Sequence, residues 1–309
     1  MRIEQVDWEH PASIDLRAAQ RAEIAERYGT PDSEPGPAPT AADITAFFVA
    51  LADDGTPLGC GGLRELSPTA AEIKRMFVDP AHRGSGVSSA VLARIEREAR
   101  DRGYQRLLLE TGTAQPDAVR FYTREGYRRI PNFGHYTDAE ASLCFAKPVV
   151  RLDQWTADSL ELLERSNVPA MMTHLGGPET AEQLVTRHER YLGYWSTDPQ
   201  GAWTFRIMWA GEAIGGLSYW RLEPEEFEIG WAVVPEYQGR GLARAAVEAA
   251  IDDMRRRGHH GLLHATPSVE NAASNALAKS LGFTLAEVVE IEYPPGHPMT
   301  ANDWVLRVA

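Results

Sequence analysis

Two cysteines in 309 residues, Cys60 and Cys144, are too few for a disulfide framework or a thiolate zinc site. That scarcity suits a reducing compartment, and the expected location is cytoplasmic. Basic residues are also short: 31 Lys and Arg stand against 44 Asp and Glu, a net charge of −13. This sign is wrong for non-specific grip on a phosphate backbone, so no nucleic acid partner is expected. No stretch approaches the roughly 20 consecutive apolar residues of a membrane-spanning helix. The opening MRIEQVDWEHPASIDLR lacks the apolar centre of a signal peptide, so no membrane partner is expected either. With 43% hydrophobic and 24% charged residues, pervasive disorder is excluded as well. The length is about twice the common domain size and favours two domains.

An internal repeat supports that division. Residues 72–88 read EIKRMFVDPAHRGSGVS and residues 228–243 read EIGWAVVPEYQGRGLA. Farther on, YTREGY at 122–127 recurs as AKSLGF at 278–283. The landmarks recur 155 or 156 residues apart, which implies two copies of one fold, over 1–148 and 149–309. The first glycine turn is expected to be one residue longer than the second. Periodicity gives each half the same order of elements. In the first, a strand over 1–6 and a helix over 12–28 precede strands at FFVALAD, PLGCGGLREL and AEIKRMFV. A helix carrying Val87, Val91, Ile95 and Ala99 then leads to strand RLLLE, a helix over 116–125 and strand ASLCFAK. The second half shows helices over 156–168 and 179–194, then strands TFRIMWA, AIGGLSYW and EIGWAVV. A helix marked by Val247, Ala250, Ile251 and Met254 follows, then GLLHA, a helix over 271–281 and WVLRV. The class is α/β with a mixed sheet.

A strand entering a glycine-rich turn and leaving as a helix makes a concavity of backbone N–H groups suited to an anion. Neither turn carries the Lys of a P-loop, nor the third glycine of a dinucleotide fingerprint. The pattern resembles the GNAT superfamily of acyl-CoA-dependent N-acetyltransferases, whose signature is Arg/Gln-x-x-Gly-x-Gly/Ala. Gln238-Gly239-Arg240-Gly241-Leu242-Ala243 fits it fully, and Arg83-Gly84-Ser85-Gly86-Val87-Ser88 departs only in its final serine. The resemblance implies two GNAT domains, each with a mixed, mostly antiparallel sheet flanked by helices. It implies acetyl-CoA as co-substrate, its pyrophosphate on both turns and its pantetheine beside Phe77-Val78 and Val233-Val234.

Transfer of an acetyl group to an amine requires a neutral nitrogen, whereas an alkylammonium stays protonated at neutral pH, so a base is needed. Glu72 and Glu228 begin the strands before the turns, where many enzymes of this superfamily place that base; the alternative is a solvated glutamate at a strand edge. Tyr122 stands where the superfamily commonly carries a tyrosine acid, though an aromatic on a helix also packs into a core. The second half has Ala278 there. Its NAASNALAKSLGF resembles the RimJ/RimL branch, which acetylates protein N-termini; that resemblance makes Ser274 a candidate acid and Asn271 a contact to the cofactor arm. Asn271 also suits a helix cap. His174, His188, His259 and His260 show no metal spacing, and no metal is expected. The proline-rich stretch 30–40 occupies a region that often borders the acceptor pocket in this superfamily.

The expectation is an N-acetyltransferase acting on a primary amine of a small molecule. Two alternatives remain: one active domain beside a degenerate partner, the C-terminal one acting on a protein N-terminus, and an acyl-CoA-binding sensor without turnover.

Overall fold

The computed structural model describes residues 1–30, 35–196, 201–294 and 296–309. Residues 31–34 of the proline-rich stretch and Pro295 lie outside the described residues. The chain divides into two compact units, Met1–Val149 and Val150–Ala309.

In the first unit β1 (Arg2–Val6) and α1 (Pro11–Tyr28) precede β2 (Ile44–Leu51), β3 (Pro57–Ser67) and β4 (Ala70–Val78). Then come α2 (Val87–Asp101), β5 (Arg106–Gly112), α3 (Pro116–Arg124), β6 (Arg128–Ile130) and β7 (Ser142–Pro148). Among the described residues seven strands form one sheet in the order β1-β2-β3-β4-β5-β7-β6, in which only β4 and β5 pair in parallel. α1 begins where the His10 side chain accepts from the Ala12 amide and Pro11 presets the first turn; it ends at Gly29 in the left-handed region. The stripe Val87, Val91, Ile95 and Ala99 on α2 is buried against the sheet.

The second unit opens with β8 (Arg151–Gln154), α4 (Leu160–Ser166), α5 (Pro169–Met172) and α6 (Ala181–Ser196). There follow β9 (Ala202–Trp209), β10 (Glu212–Glu223), β11 (Glu226–Val233), α7 (Leu242–Arg256) and β12 (Gly261–Ala265). α8 (Ala272–Ser280), β13 (Thr284–Glu292) and β14 (Pro298–Val308) complete it. Read from β8, the sheet order β8-β9-β10-β11-β12-β14-β13 repeats that of the first unit, again with one parallel pair, β11 with β12. The α/β class with two mixed, mostly antiparallel sheets is borne out. Four elements had no sequence expectation: β6, β8, α5 and β13. β6 and β8 are too short for periodicity, and β13 is a largely exposed edge strand with glutamates in its pattern. The helix expected over 156–168 stops at Ser166, because Pro169 disfavours helical backbone just before it and starts α5 instead.

The extra residue expected in the first glycine turn falls elsewhere. Both turns run from a three-residue 3-10 turn, Pro80–His82 or Pro235–Tyr237, through four residues to α2 or α7, and they are equal in length. The surplus lies in β4, where Cys60 pairs with Phe77 but Gly62 pairs with Lys74, leaving Arg75 and Met76 opposite Gly61. This is a β-bulge, and Arg75 takes the left-handed conformation at φ +57°. β11 pairs with β10 without a break from Val233 to Phe227.

Gly59 and Gly215 hold equivalent places where the neighbouring strand passes closely. A Cβ at Gly59 lies 2.7 Å from the Phe77 carbonyl oxygen, and one at Gly215 lies 2.1 Å from that of Ala232. Gly59→Ala and Gly215→Ala are each expected to destabilise the protein by about 1–3 kcal/mol, as overpacking does. Chemical denaturation of the purified variants measures this.

Candidate functional site

In each unit the parallel pairing is brief. β4 and β5 pair only over Ala70–Ile73 with Arg106–Leu109, although β4 continues to Val78. β11 and β12 pair over Glu226–Glu228 with Leu262–His264, although β11 continues to Val233. Beyond those rungs β4 and β11 run on past their parallel partners, which leaves a gap where an extended, amide-bearing chain can lie, although on β4 the Met76 carbonyl already accepts from Gln20 Nε2 at 2.9 Å.

The glycine turns close the far end of each opening. Gly84 and Gly86 (φ +79° and +87°) and Gly239 and Gly241 (φ +74° and +82°) all occupy the left-handed region. Above Gly84, Gly86 and Gly239 a Cβ meets nothing within 4 Å. α2 and α7 start at these turns with no side-chain cap, so first-turn N–H groups are left to a ligand or to water. Val87 and Leu242 bury their side chains, as do Phe77, Val233 and Val234, so these residues can serve a ligand only through the main chain. Arg83 and Gln238 point away from the concavity: Arg83 Nε donates to the Val78 carbonyl at 3.1 Å, and Gln238 Nε2 donates to the Val233 carbonyl at 2.8 Å. Arg83 is further held by Glu23 at 2.5 Å. The first residue of each signature thus braces the turn onto the end of its own strand. Ser85 Oγ donates to the His82 carbonyl, and Arg240 to that of Glu236. Ser88 and Ala243 are half-buried in the first helical turn.

The two strand glutamates differ sharply. Glu72 is fully buried with both oxygens engaged: Arg64 donates to Oε2 through Nε (3.1 Å) and Nη2 (2.5 Å), while the Tyr136 hydroxyl donates to Oε1 at 2.8 Å. Lys74 donates to Tyr136 at 2.8 Å and stands 3.6 Å from Glu72. This buried carboxyl lies between two basic side chains with both of its oxygens occupied. The strand-edge alternative for Glu72, a solvated side chain, is therefore incorrect. Glu228 is half-buried on the last parallel rung, bonded to the Thr266 hydroxyl. Burial pushes its carboxyl above the ordinary carboxylate range, and Asp303 adds to this against the lowering influence of Thr266 and His264. His264 is the residue paired with Glu228, and its Nδ1 lies 2.9 Å from Asp303 Oδ1.

The candidate proton donors also separate. Tyr122 is buried and its hydroxyl makes no hydrogen bond among the described residues; burial first, then the charge of Glu110, pushes its pKa well above the usual phenol range. Asn271 caps α8, its Oδ1 accepting from the Ser274 amide at 3.1 Å, which is the alternative role the sequence offered. Ser274 is half-buried. Cys60 and Cys144 are buried free thiols, and burial pushes Cys60 up to about 12, which removes a reactive thiolate at neutral pH.

Sequence reasoning missed Arg64, Lys74, Tyr136, His264, Thr266 and Asp303. His264 was legible as a polar residue interrupting the apolar strand GLLHA. Asp303 fell outside because the last strand was expected only from Trp304, whereas β14 begins at Pro298. Tyr136 reaches Glu72 from a turn that no spacing connects to it.

Residues 14–127 match the model of the acetyltransferase (GNAT) family, and residues 150–284 match that of an acetyltransferase (GNAT) domain. An IAA acetyltransferase of Azospirillum brasilense is 38% identical over 103 residues, 33% of this chain and 67% of the relative. A mycothiol acetyltransferase of Geodermatophilus obscurus is 28% identical over 252 residues, 76% of this chain and 78% of the relative. Six other curated relatives are matched over only 38–60% of their own length. Among solved structures, an acetyltransferase of Salmonella typhimurium that modifies the N-terminal serine of a 50S ribosomal subunit protein is 21% identical, with a TM-score of 0.46. It covers 52% of this chain and 96% of its own.

Two substitutions separate the glutamates. Arg64→Ala leaves Glu72 buried without its guanidinium and is expected to cost about 3–5 kcal/mol in urea denaturation. Glu228→Gln acts oppositely. A carboxyl whose folded pKa is raised contributes stability below its unfolded pKa, about 4.3, and loses it as pH rises through the folded value. The Gln variant should therefore melt higher than wild type at pH 7, with the difference shrinking toward pH 4 in thermal scans.

Proposed function

Because the chain belongs to the GNAT acetyltransferase family, with one such domain in each half, we propose that it transfers acetyl from acetyl-CoA to a primary amine of a small molecule, using the C-terminal domain. The observation that carries this reading is the contrast between Glu228, half-buried on the last rung before the strands part, and Glu72, sealed among Arg64, Tyr136 and Lys74. A carboxylate with a raised pKa at the mouth of the opening suits a general base. One closed between two cations suits a structural role.

The residues present fit acetyl-CoA: uncapped helix starts, left-handed glycines and strands that run on past their last parallel rung occur in both domains. When bound it supplies an activated acetyl thioester and a thiolate leaving group. Main-chain N–H groups of Gly84 to Ser88 and of Gly239 to Ala243 would hold its pyrophosphate, and the strand edges near Phe77-Val78 and Val233-Val234 its pantetheine arm. Glu228 draws the proton from the acceptor ammonium onto its carboxylate, leaving the nitrogen lone pair free. Ser274 Oγ, half-buried on α8 four residues before Ala278, is the hydroxyl proposed to donate toward the departing sulfur. In the first domain the Tyr122 hydroxyl keeps that donor role in a second reading, in which acetyl transfer also occurs there. Its lack of a hydrogen bond among the described residues favours that reading; the closure around Glu72 weighs against it. The name of the mycothiol acetyltransferase, aligned over 76% of this chain, directs the acceptor screen toward small amines before protein N-termini.

Calorimetric titration with acetyl-CoA tests the binding half. Wild type is expected to show two sites, with Gly86→Glu and Gly241→Glu each abolishing one by placing bulk and charge in one concavity. No binding by wild type would overturn the reading. Glu228→Gln is expected to lower kcat by about 10²–10⁴-fold, the usual range for removal of a general base. Glu72→Gln, if folded, should retain turnover at the second site in the same steady-state assay.

A further inference from the structure

In the first domain β5 runs past its last parallel rung, Ile73 with Leu109, and the first residue beyond that rung is Glu110. Alternation along the strand puts Glu110 on the face of Leu108, which pairs with Glu72, so the two carboxyls share a face and Glu110 stands one pleat nearer the gap. Glu110 is half-buried, and the Ser142 hydroxyl, arriving from β7, donates to its Oε1 at 2.7 Å. α1 covers this face of the sheet, with Leu16 packed among Cys60 and Phe77. Farther along α1, Gln20 Nε2 donates to the Met76 carbonyl on β4, and the Tyr28 hydroxyl accepts from the Ala114 amide at 3.3 Å just past β5. A Cβ at Gly112 would collide with that hydroxyl, so Tyr28 sits directly on the end of β5. Tyr122 approaches from the other face, in the core with Leu107 and Leu109, and the charge of Glu110 still acts on its hydroxyl. In the second domain the place of Glu110 is held by Thr266, two residues past the His264 that pairs with Glu228, and its hydroxyl bonds to Glu228. Both domains thus bring a carboxyl to the same spot, the second from β11 and the first from β5.

We propose that Glu110 is the general base of the first domain, a role that Glu72, engaged by Arg64, Lys74 and Tyr136, leaves open, and that it receives a primary ammonium held between β5 and α1. The inference rests on the reading of the chain as an acetyltransferase of small amines and gives the first domain its own base. A carboxylate suits both tasks, since it pairs with the ammonium and then takes its proton. The N–H bond of the ammonium breaks, its electron pair stays on nitrogen, and an O–H bond forms on Glu110. The nitrogen then bonds to the acetyl carbon as the carbon–sulfur bond breaks. A second proton leaves nitrogen once that C–N bond exists, and it is matched by the one the departing sulfur takes up. Glu110 returns its own proton to water as the amide leaves. With Glu110 and Tyr122 on opposite faces of β5, proton removal and proton donation take place on opposite sides of the gap.

The test joins kinetics to spectroscopy on the full chain, with acetyl-CoA as donor and ethanolamine, putrescine and glucosamine as acceptors. Gly241→Glu removes the second site's share of turnover, and the turnover that remains with an amine used by wild type is the first site's. Adding Glu110→Gln is expected to lower that remaining kcat by about 10²–10⁴-fold, the range for a lost general base, and Glu110→Asp to restore part of it. Calorimetry should show acetyl-CoA still bound at the first site of the Glu110→Gln protein, which separates loss of the base from loss of the fold. In 13C NMR of glutamate-labelled protein, the carboxyl resonance that Glu110→Gln deletes should shift when the same amine is added with CoA, a response independent of turnover. Remaining turnover indifferent to Glu110→Gln, a resonance unmoved by the amine, or a Gly241→Glu protein that acetylates none of the amines wild type uses overturns the assignment of Glu110. Acetylation of none of the three amines by wild type would instead sink the small-amine reading on which it rests.

Discussion

Two parallel strands held together for only three or four rungs are the constraint on which each domain of this protein depends. Parallel pairing requires both strands to share direction and register, and here it ends at Ile73 in one sheet and at Glu228 in the other while β4 and β11 run on. The remaining strand edges are committed to antiparallel neighbours, so the sheet stays intact around a gap at its centre. Everything with chemical potential is arranged by that gap: a polar strand residue at its root, the main chain of the longer strand along its side, and an uncapped helix at its far end. Arg83 and Gln238 reinforce it by tying each turn back to the last carbonyl of the parting strand.

The same frame carries opposite electrostatics in the two copies. Around Glu72 the first domain has assembled Arg64, Lys74 and Tyr136, and the bulge at Arg75 lies immediately beyond. Such a buried network is expensive to break, and its worth lies in fixing one arrangement of β3, β4 and the turn carrying Tyr136. Around Glu228 the second domain offers Thr266, Trp220 and the His264–Asp303 pair, none of which is a permanent cation. Burial without full compensation raises the affinity of Glu228 for a proton. Duplication thus preserved backbone geometry, where a change of path disrupts a whole strand, and allowed charge to diverge, where single substitutions suffice.

The sequence by itself determined the two copies, the order of most elements and both anion-binding turns. These features rest on local chemistry: glycines that accept positive φ, helical spacing of apolar residues, and Pro before a turn. The helix faces at Val87, Val91, Ile95 and Ala99 and at Val247, Ala250, Ile251 and Met254 are buried as their spacing requires. Short strands such as β6 and β8 and the exposed edge strand β13 left no comparable signal, since their pairing energy comes from neighbours distant in sequence. Tertiary structure alone decided that the surplus residue lies in β4 and not in the turn, because a bulge is a relation between two strands. It alone decided the fate of the two glutamates, which open equivalent strands in nearly the same local sequence. Residues from β3 and a remote turn seal Glu72, and residues from β12 and β14 flank Glu228. Protonation is set by the dielectric and the charges within a few ångströms, and those neighbours are supplied by the fold.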